Sequence, residues 1–215
     1  MPAPYRLILF DFDGTLVDTV SDISFYVNEV LRERGFAEAS VDEVKEAIGW
    51  GVHELLKLLA PGFETDLNAL EQAVERFKTA YRARPVRLTR PFPHVVEMLE
   101  GPLRNTKKAI VTNKPQDITL RVLEELKIGR FFETVIGTNA DFPPKPDPSA
   151  VMYLMGQTGV SKKGTVYIGD SRVDAETSAN AGIDFAWVDY GYQGPGEFTP
   201  RYTFSSAADW KLLVS

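Results

Sequence analysis

The chain predicts an α/β fold: a Rossmann-like three-layer core with a mainly parallel sheet, plus a helical domain inserted after the first strand. Three observations carry this. Leu7-Ile8-Leu9-Phe10 is the unbroken apolar run that a strand buried on both faces requires, and it stops abruptly at Asp11-Phe12-Asp13-Gly14. A long stretch of helical spacing with no convincing strand follows it. From Pro91 onward, helices alternate with short apolar runs, the rhythm of a parallel sheet.

The elements follow in order. Ile23, Tyr26, Val27, Val30 and Leu31 recur at three and four residues and predict a helix from about Thr19 to Arg34, ended by Gly35. Ser40 heads a helix over Val41 to Ala47, and Val52 to Leu59 carries another apolar face before Pro61-Gly62. Asp66 can cap a longer helix whose Leu70, Ala73, Val74, Phe77 and Tyr81 share a face. These four helices read as an insertion from roughly Asp18 to Arg84, with Arg84-Pro85-Val86-Arg87 as its return hinge. The predicted division is a core of residues 1–17 and 86–215 and an inserted helical domain of residues 18–85. Beyond it, Pro93 opens a helix with Val95, Val96, Met98 and Leu99, and strands are predicted at Lys108 to Thr112, Thr134 to Gly137, Thr165 to Gly169 and Phe185 to Val188. Helices over Asp117 to Leu126, Ser149 to Gln157 and Asp174 to Ala181 separate them.

Composition narrows the function classes. With 215 residues the chain can bury a sizeable core, and no apolar run approaches the length of a membrane span. A net charge of -6 without a dense Lys/Arg block argues against a nucleic-acid footprint. Zero cysteines exclude disulfides and thiol catalysis, and two histidines make a histidine-rich zinc site improbable. The start, Met1-Pro2-Ala3-Pro4-Tyr5-Arg6, lacks the features of a secretory signal. The expectation is a cytoplasmic monomer or homodimer that binds neither nucleic acid nor membrane.

Three buried strands end in polar residues: Asp11, Thr112-Asn113 and Asp170-Ser171. In a parallel sheet such ends open on one edge, the crevice where α/β sheets bind ligands. Gly14 can adopt backbone angles closed to other residues, so the amides around Phe12, Asp13 and Gly14 can turn toward an anion. Asp11 and Asp13 beside that turn suggest a metal and a phosphate. The stiff Phe142-Pro143-Pro144-Lys145-Pro146-Asp147-Pro148 loop brings one cation to a fourth strand's exit. Singly, each signal has a commoner structural meaning, such as a turn, a helix cap or a solvated lysine. At the ends of successive strands they point together to a site.

Asp11-Phe12-Asp13-Gly14-Thr15, Val111-Thr112-Asn113, Lys145-Pro146 and Gly169-Asp170-Ser171-Arg172-Val173-Asp174 resemble the four motifs of the haloacid-dehalogenase-like superfamily. Ile48-Gly49, Phe92-Pro93-His94-Val95, Lys114-Pro115 and Tyr190-Gly191-Tyr192 narrow the resemblance to phosphoglycolate phosphatases. The resemblance implies a phosphomonoesterase with Asp11 as nucleophile, forming an aspartyl-phosphate, and Asp13 as general acid and base. It further implies Mg²⁺ held by Asp11, the Asp13 carbonyl and Asp170, with Asp174 holding a metal-bound water. Lys145 would neutralise Asp11 and phosphate, and Thr112 and Asn113 would hydrogen-bond phosphate oxygens. The superfamily's dehalogenases lack an acid at the position of Asp13, since a halide leaves unprotonated; Asp13 therefore points to phosphate esters.

The inserted helices match the family's cap, whose loop near Gly49-Trp50-Gly51-Val52-His53 touches substrate in relatives, making Trp50 and Gly51 candidate substrate contacts. Trp50 serves equally well as an aromatic of the cap's core, and His53 reads as a surface or packing residue. The implied substrate is a small phosphorylated metabolite, 2-phosphoglycolate. Its carboxylate would be met by the amides near Gly51 and Val52. Alternatives are another small-molecule phosphatase (pyrophosphatase, nucleotidase or sugar phosphatase), a β-phosphoglucomutase-like isomerase, or a non-catalytic phosphate-binding regulator. The isomerase carries a hinge histidine where this chain has Ile23, and a phosphonate-cleaving relative needs a loop lysine that is absent here.

Overall fold

The computed structural model describes residues 4–138 and 141–215, so the Met1–Ala3 start lies outside the described residues. The strands are β1 (Leu7–Phe10), β2 (Val17–Asp18), β3 (Arg90–Pro91), β4 (Lys107–Pro115), β5 (Thr134–Thr138), β6 (Thr165–Gly169), β7 (Asp184–Val188) and β8 (Tyr202–Phe204). The α-helices are α1 (Val20–Glu33), α2 (Val41–Ala47), α3 (Val52–Leu59), α4 (Leu67–Ala83), α5 (Val95–Glu100), α6 (Gln116–Glu125), α7 (Ser149–Thr158) and α8 (Arg172–Ala181).

Six strands form one sheet in the order β5-β4-β1-β6-β7-β8, and every pairing in it is parallel. β1 is central: Leu7 pairs with Lys107 on one side and with Thr165 on the other. Its residues alternate between two cores, as the pleat of a strand demands. Ile8 and Phe10 pack with Met98, Ile118 and Trp210, while Leu7 and Leu9 pack with Val151, Leu154 and Ala175. That alternation makes the three layers, with α7 and α8 covering one face and α5, α6 and a C-terminal 3-10 helix (Ala207–Leu213) the other. The chain leaves β1 for β4 and β5, then crosses back to β6, so the strand order reverses at β1 and a crevice opens beyond its carboxyl end.

Helices α1 to α4 pack on one another through the faces that the sequence periodicity marks, with Val27, Val44, Leu56, Val74 and Tyr81 all buried. Ser40 caps α2 with a capping box and Asp66 caps α4. The return from these helices is built differently from a simple Arg84–Arg87 hinge. β2 and β3 form a two-residue antiparallel ribbon, Val17 opposite Pro91 and Asp18 opposite Arg90, which clasps the outgoing and returning chains together. Beneath it the buried Asp22 carboxylate accepts from the amides of Arg87, Leu88 and Thr89 and from the Thr89 hydroxyl. Among the described residues no helix is long and apolar enough to cross a membrane.

Candidate active site

Continuing the alternation of β1, Asp11 falls on the side of Leu9, toward α8. Its amide still donates to the Ile168 carbonyl (2.9 Å), so the carboxylate is fixed by sheet geometry one residue past the strand. The chain then turns tightly, with the Leu16 and Val17 amides donating to the Phe12 carbonyl. Gly14 makes the turn possible: its φ is +84°, and a Cβ there would come 2.3 Å from an Asp170 carboxylate oxygen. The expectation that the Gly14 amide faces an anion is corrected here, because that N–H donates to the Val17 carbonyl at 3.0 Å. Gly14 admits Asp170 to the site; it is no phosphate donor.

Lys145 organises one half of the crevice. Its Nζ donates to Asp11 Oδ1 (2.7 Å), Asp174 Oδ1 (2.6 Å) and the Tyr167 hydroxyl (3.1 Å), and Tyr167 in turn donates to the Val111 carbonyl. Burial disfavours the lysine's charge, but Asp11 and Asp174 outweigh burial and hold the ammonium well above its ordinary range. Asp11 is pushed up to about 7, by burial first and then by Asp174 and Asp13, against the pull of Lys145. Asp170 is also raised well above the carboxylate range, by burial and by Asp174 and Asp11. Its oxygens accept from Thr15 Oγ1 (3.1 Å) and the Tyr192 amide (2.8 Å), and no cation faces it among the described residues.

Asp174 does not begin its helix. Ser171 is the N-cap, and Asp174, three residues on, completes a capping box: its Oδ2 accepts from the Ser171 amide (3.0 Å) and hydroxyl (2.6 Å). With Oδ1 on Lys145, the side chain has both oxygens engaged. Asp11, Asp170 and Asp174 offer carboxylate oxygens that all lie within 4.8 Å of one another. Three buried carboxylates against one ammonium leave positive charge wanting, and an all-oxygen donor set suits a hard divalent cation. The residues present therefore fit a metal. The Asp13 carboxylate is not among the three that cluster.

Asp13 belongs to the other half. Thr19 Oγ1 donates to its Oδ1 at 2.7 Å, and Lys114 Nζ lies 3.1 and 3.2 Å from its two oxygens. Lys114 also donates to the Tyr81 hydroxyl (3.0 Å) on α4. The sequence reading noted Lys114 as part of a motif and Tyr81 as part of a helix face, and gave neither a place in the site. Lys114 carries a legible signal, a cation at the buried end of a strand; Tyr81 hides inside an apolar helix face.

Thr112 and Asn113 reach the same crevice from β4. Thr112 Oγ1 accepts from the Lys114 amide at 3.2 Å. Asn113 is placed differently from the phosphate-binding role expected of its side chain. Its Nδ2 donates to the carbonyls of Gly49 (2.9 Å) and Lys145 (3.0 Å), and its Oδ1 accepts from the Lys145 amide (2.8 Å). The amide side chain is thus spent on fastening the Lys145 loop and the Gly49 loop to β4.

A crevice of about 500 Å³, part of it open to solvent, lies between these residues and Ile23, Ile48, Val52, Leu55 and Phe77 of the helices above. Gly51 lines it with φ of +91°; a Cβ there would meet the Asn113 carbonyl at an ordinary 3.5 Å, so glycine is needed for backbone angle and not for space. Trp50 is a correction to the expectation of a core aromatic: it is 38% exposed, and it stands outside the crevice lining while its neighbours Gly49 and Gly51 are within it. His53 is on the surface beside Glu71, as expected. Two contacts between the core and the helical unit escaped sequence reading, one from Gln193 and one from Tyr192, which was noted only as part of a motif. Gln193, after β7, donates to the Lys45, Glu46 and Ile48 carbonyls of the helical unit, and the Tyr192 hydroxyl accepts from the Thr19 and Val20 amides.

Residues 8–188 match the family described as haloacid dehalogenase-like hydrolase. The chain belongs to that family, and within it it is a phosphatase. It is 36% identical over 192 residues to phosphoglycolate phosphatase 1 of Pseudomonas aeruginosa, covering 87% of this chain and 70% of that protein. It is 32% identical to phosphoglycolate phosphatase of Aquifex aeolicus, over 97% of this chain and 96% of the relative. Among solved structures, a predicted phosphoglycolate phosphatase from Haemophilus somnus 129PT superimposes with a TM-score of 0.90 at 26% identity, covering 98% of each chain.

Proposed function

We propose that this phosphatase hydrolyses 2-phosphoglycolate in the cytoplasm with Mg²⁺, through an aspartyl-phosphate on Asp11. The core of residues 1–17 and 86–215 would carry the chemistry, and residues 18–85 would act as a cap. The observation that carries the reading is the division of labour between two nearby acids. Asp11 is held by Lys145 beside the carboxylate trio, and Asp13 is held apart from it by Thr19 and Lys114.

In that arrangement Asp11 attacks phosphorus while Lys145 neutralises charge on the carboxylate and the phosphate. Asp13 hands a proton to the departing alcohol, then takes one from the water that cleaves the acyl phosphate. Asp11, Asp170 and the Asp13 carbonyl would hold Mg²⁺, with Asp174 beside them; when bound, the ion offsets the negative charge that phosphate brings to the carboxylates. The helices above shield the site from water. Ile23, where an isomerase of this superfamily would carry histidine, contributes only an apolar surface to the crevice.

The family likeness to two phosphoglycolate phosphatases supports the substrate. A phosphate-release panel tests it: with Mg²⁺, 2-phosphoglycolate should exceed a generic aryl phosphate in kcat/KM, and chelator should abolish both activities. Equal kcat/KM values would remove this substrate and leave the phosphatase; full activity in chelator would remove the metal.

A further inference from the structure

The crevice wall on the Asp13 side is apolar except at one place. Ile23, Val52, Leu55 and Phe77 line it, and against them stand Lys114 from β4 and Tyr81 from α4. Lys114 is only 6% exposed, with its Nζ 4.4 Å from the Tyr81 ring centroid. In the hydrolysis described above Lys114 only holds Asp13; its charge is given no contact with the substrate, because Lys145 serves Asp11 and the phosphate.

The two buried lysines are held unequally. Lys145 has short ion-pair bonds of 2.7 and 2.6 Å. Lys114 meets Asp13 at 3.1 and 3.2 Å, longer than the roughly 2.7–2.9 Å of a firm ammonium–carboxylate bond. Lys114 is thus the more loosely held of the two ammonium groups and faces the crevice, where a second carboxylate can share it with Asp13. Asp13 is also the group that serves the ester oxygen, so a substituent one carbon beyond that oxygen comes within reach of Lys114 Nζ. A bulky alcohol would instead meet the apolar wall.

We propose that Lys114 Nζ and the Tyr81 hydroxyl form the subsite for the substrate's second acid group, selecting phosphomonoesters with a carboxylate one carbon beyond the ester oxygen. This rests on the reading of a short carboxylated substrate given above. It moves carboxylate recognition from the loop amides at Gly51 and Val52 to a lysine of the sheet and a tyrosine of the helices over it. A desolvated carboxylate demands such a partner, and a charged one satisfies it best.

The test compares 2-phosphoglycolate with ethyl phosphate, which has the same length and no carboxylate, in the wild-type protein and in Lys114→Met and Tyr81→Phe. Lys114→Met should lower the ratio of the two kcat/KM values by at least about tenfold, mainly through KM for 2-phosphoglycolate. Inhibition by glycolate should weaken in parallel. Tyr81→Phe, which removes one hydroxyl and keeps the buried ring, should move the ratio in the same direction by less. If both substrates lose equally and through kcat, Lys114 only positions Asp13 and the subsite is overturned. A wild-type protein without preference for 2-phosphoglycolate would overturn the substrate reading and the subsite together. An intact preference unmoved by either variant would overturn the subsite alone.

Discussion

At the return from the helical unit, the buried Asp22 carboxylate gathers the amides of Arg87, Leu88 and Thr89 and the Thr89 hydroxyl. At the end of β6, the equally buried Asp170 has one hydroxyl and one amide for company, and shares its pocket with Asp11 and Asp174. Burial acts on both in the same sense. At Asp22 the hydrogen bonds overcome it and draw the carboxyl below its ordinary range; at Asp170 neighbouring acids reinforce it and drive the carboxyl up. The first site is saturated with donors and serves the fold. The second is short of positive charge, a condition that stabilises nothing by itself and suits a site that takes up a cation.

The sharpest way to break this contrast is Asp11→Asn. Turnover should fall by roughly 10³-fold or more, since an amide is a poor nucleophile of nearly the same shape. Thermal melting should show no loss of stability, because one of three crowded acids has become neutral. Retained turnover, or a large drop in melting temperature, would place Asp11 with Asp22 as a structural group.

Asp22→Ala should give the opposite result. Orphaning the Thr89 amide and its neighbours costs about 2–3 kcal/mol in urea denaturation, and turnover of the folded fraction should change far less than in Asp11→Asn. The smallest effect expected is in pH. A carboxyl lowered in the folded state contributes stability that is complete above its unfolded pKa and is lost as pH falls through its folded pKa. Below the ordinary carboxylate range the wild-type protein should therefore lose stability more steeply than Asp22→Asn; parallel acid limbs would refute the role of this cluster.

Much of this was legible because it is local. Apolar runs such as Leu7–Phe10 and the spacing of Leu70, Val74, Phe77 and Tyr81 reflect strand and helix periods directly. Asp11, Asp13, Lys145, Asp170 and Asp174 stood out because they interrupt such patterns where strands end. What escaped depends on distant partners. Asp22 looks like a first-turn acid until residues 87–89 fold back on it, and Gln193 has no meaning without the carbonyl ends of α2. Asn113 matched a phosphate-binding motif, yet its amide is occupied by two loops from elsewhere in the chain. β8 has three residues, Tyr202–Phe204, too few to show a period.

The central position of β1 also bears on how this enzyme is made. The strand that delivers Asp11 is synthesised early, but its partners are Lys107–Ile110 and Thr165–Ile168. Until both arrive, four apolar residues carry two unpaired edges, a segment prone to stray association. Pairing across such separations makes folding slow, since loop closure precedes any gain from contact. It also orders assembly of the proposed site: Asp11, the proposed nucleophile, is made long before Lys145, Asp170 and Asp174, so the carboxylate trio and its lysine come together only once β6 and α8 have been added.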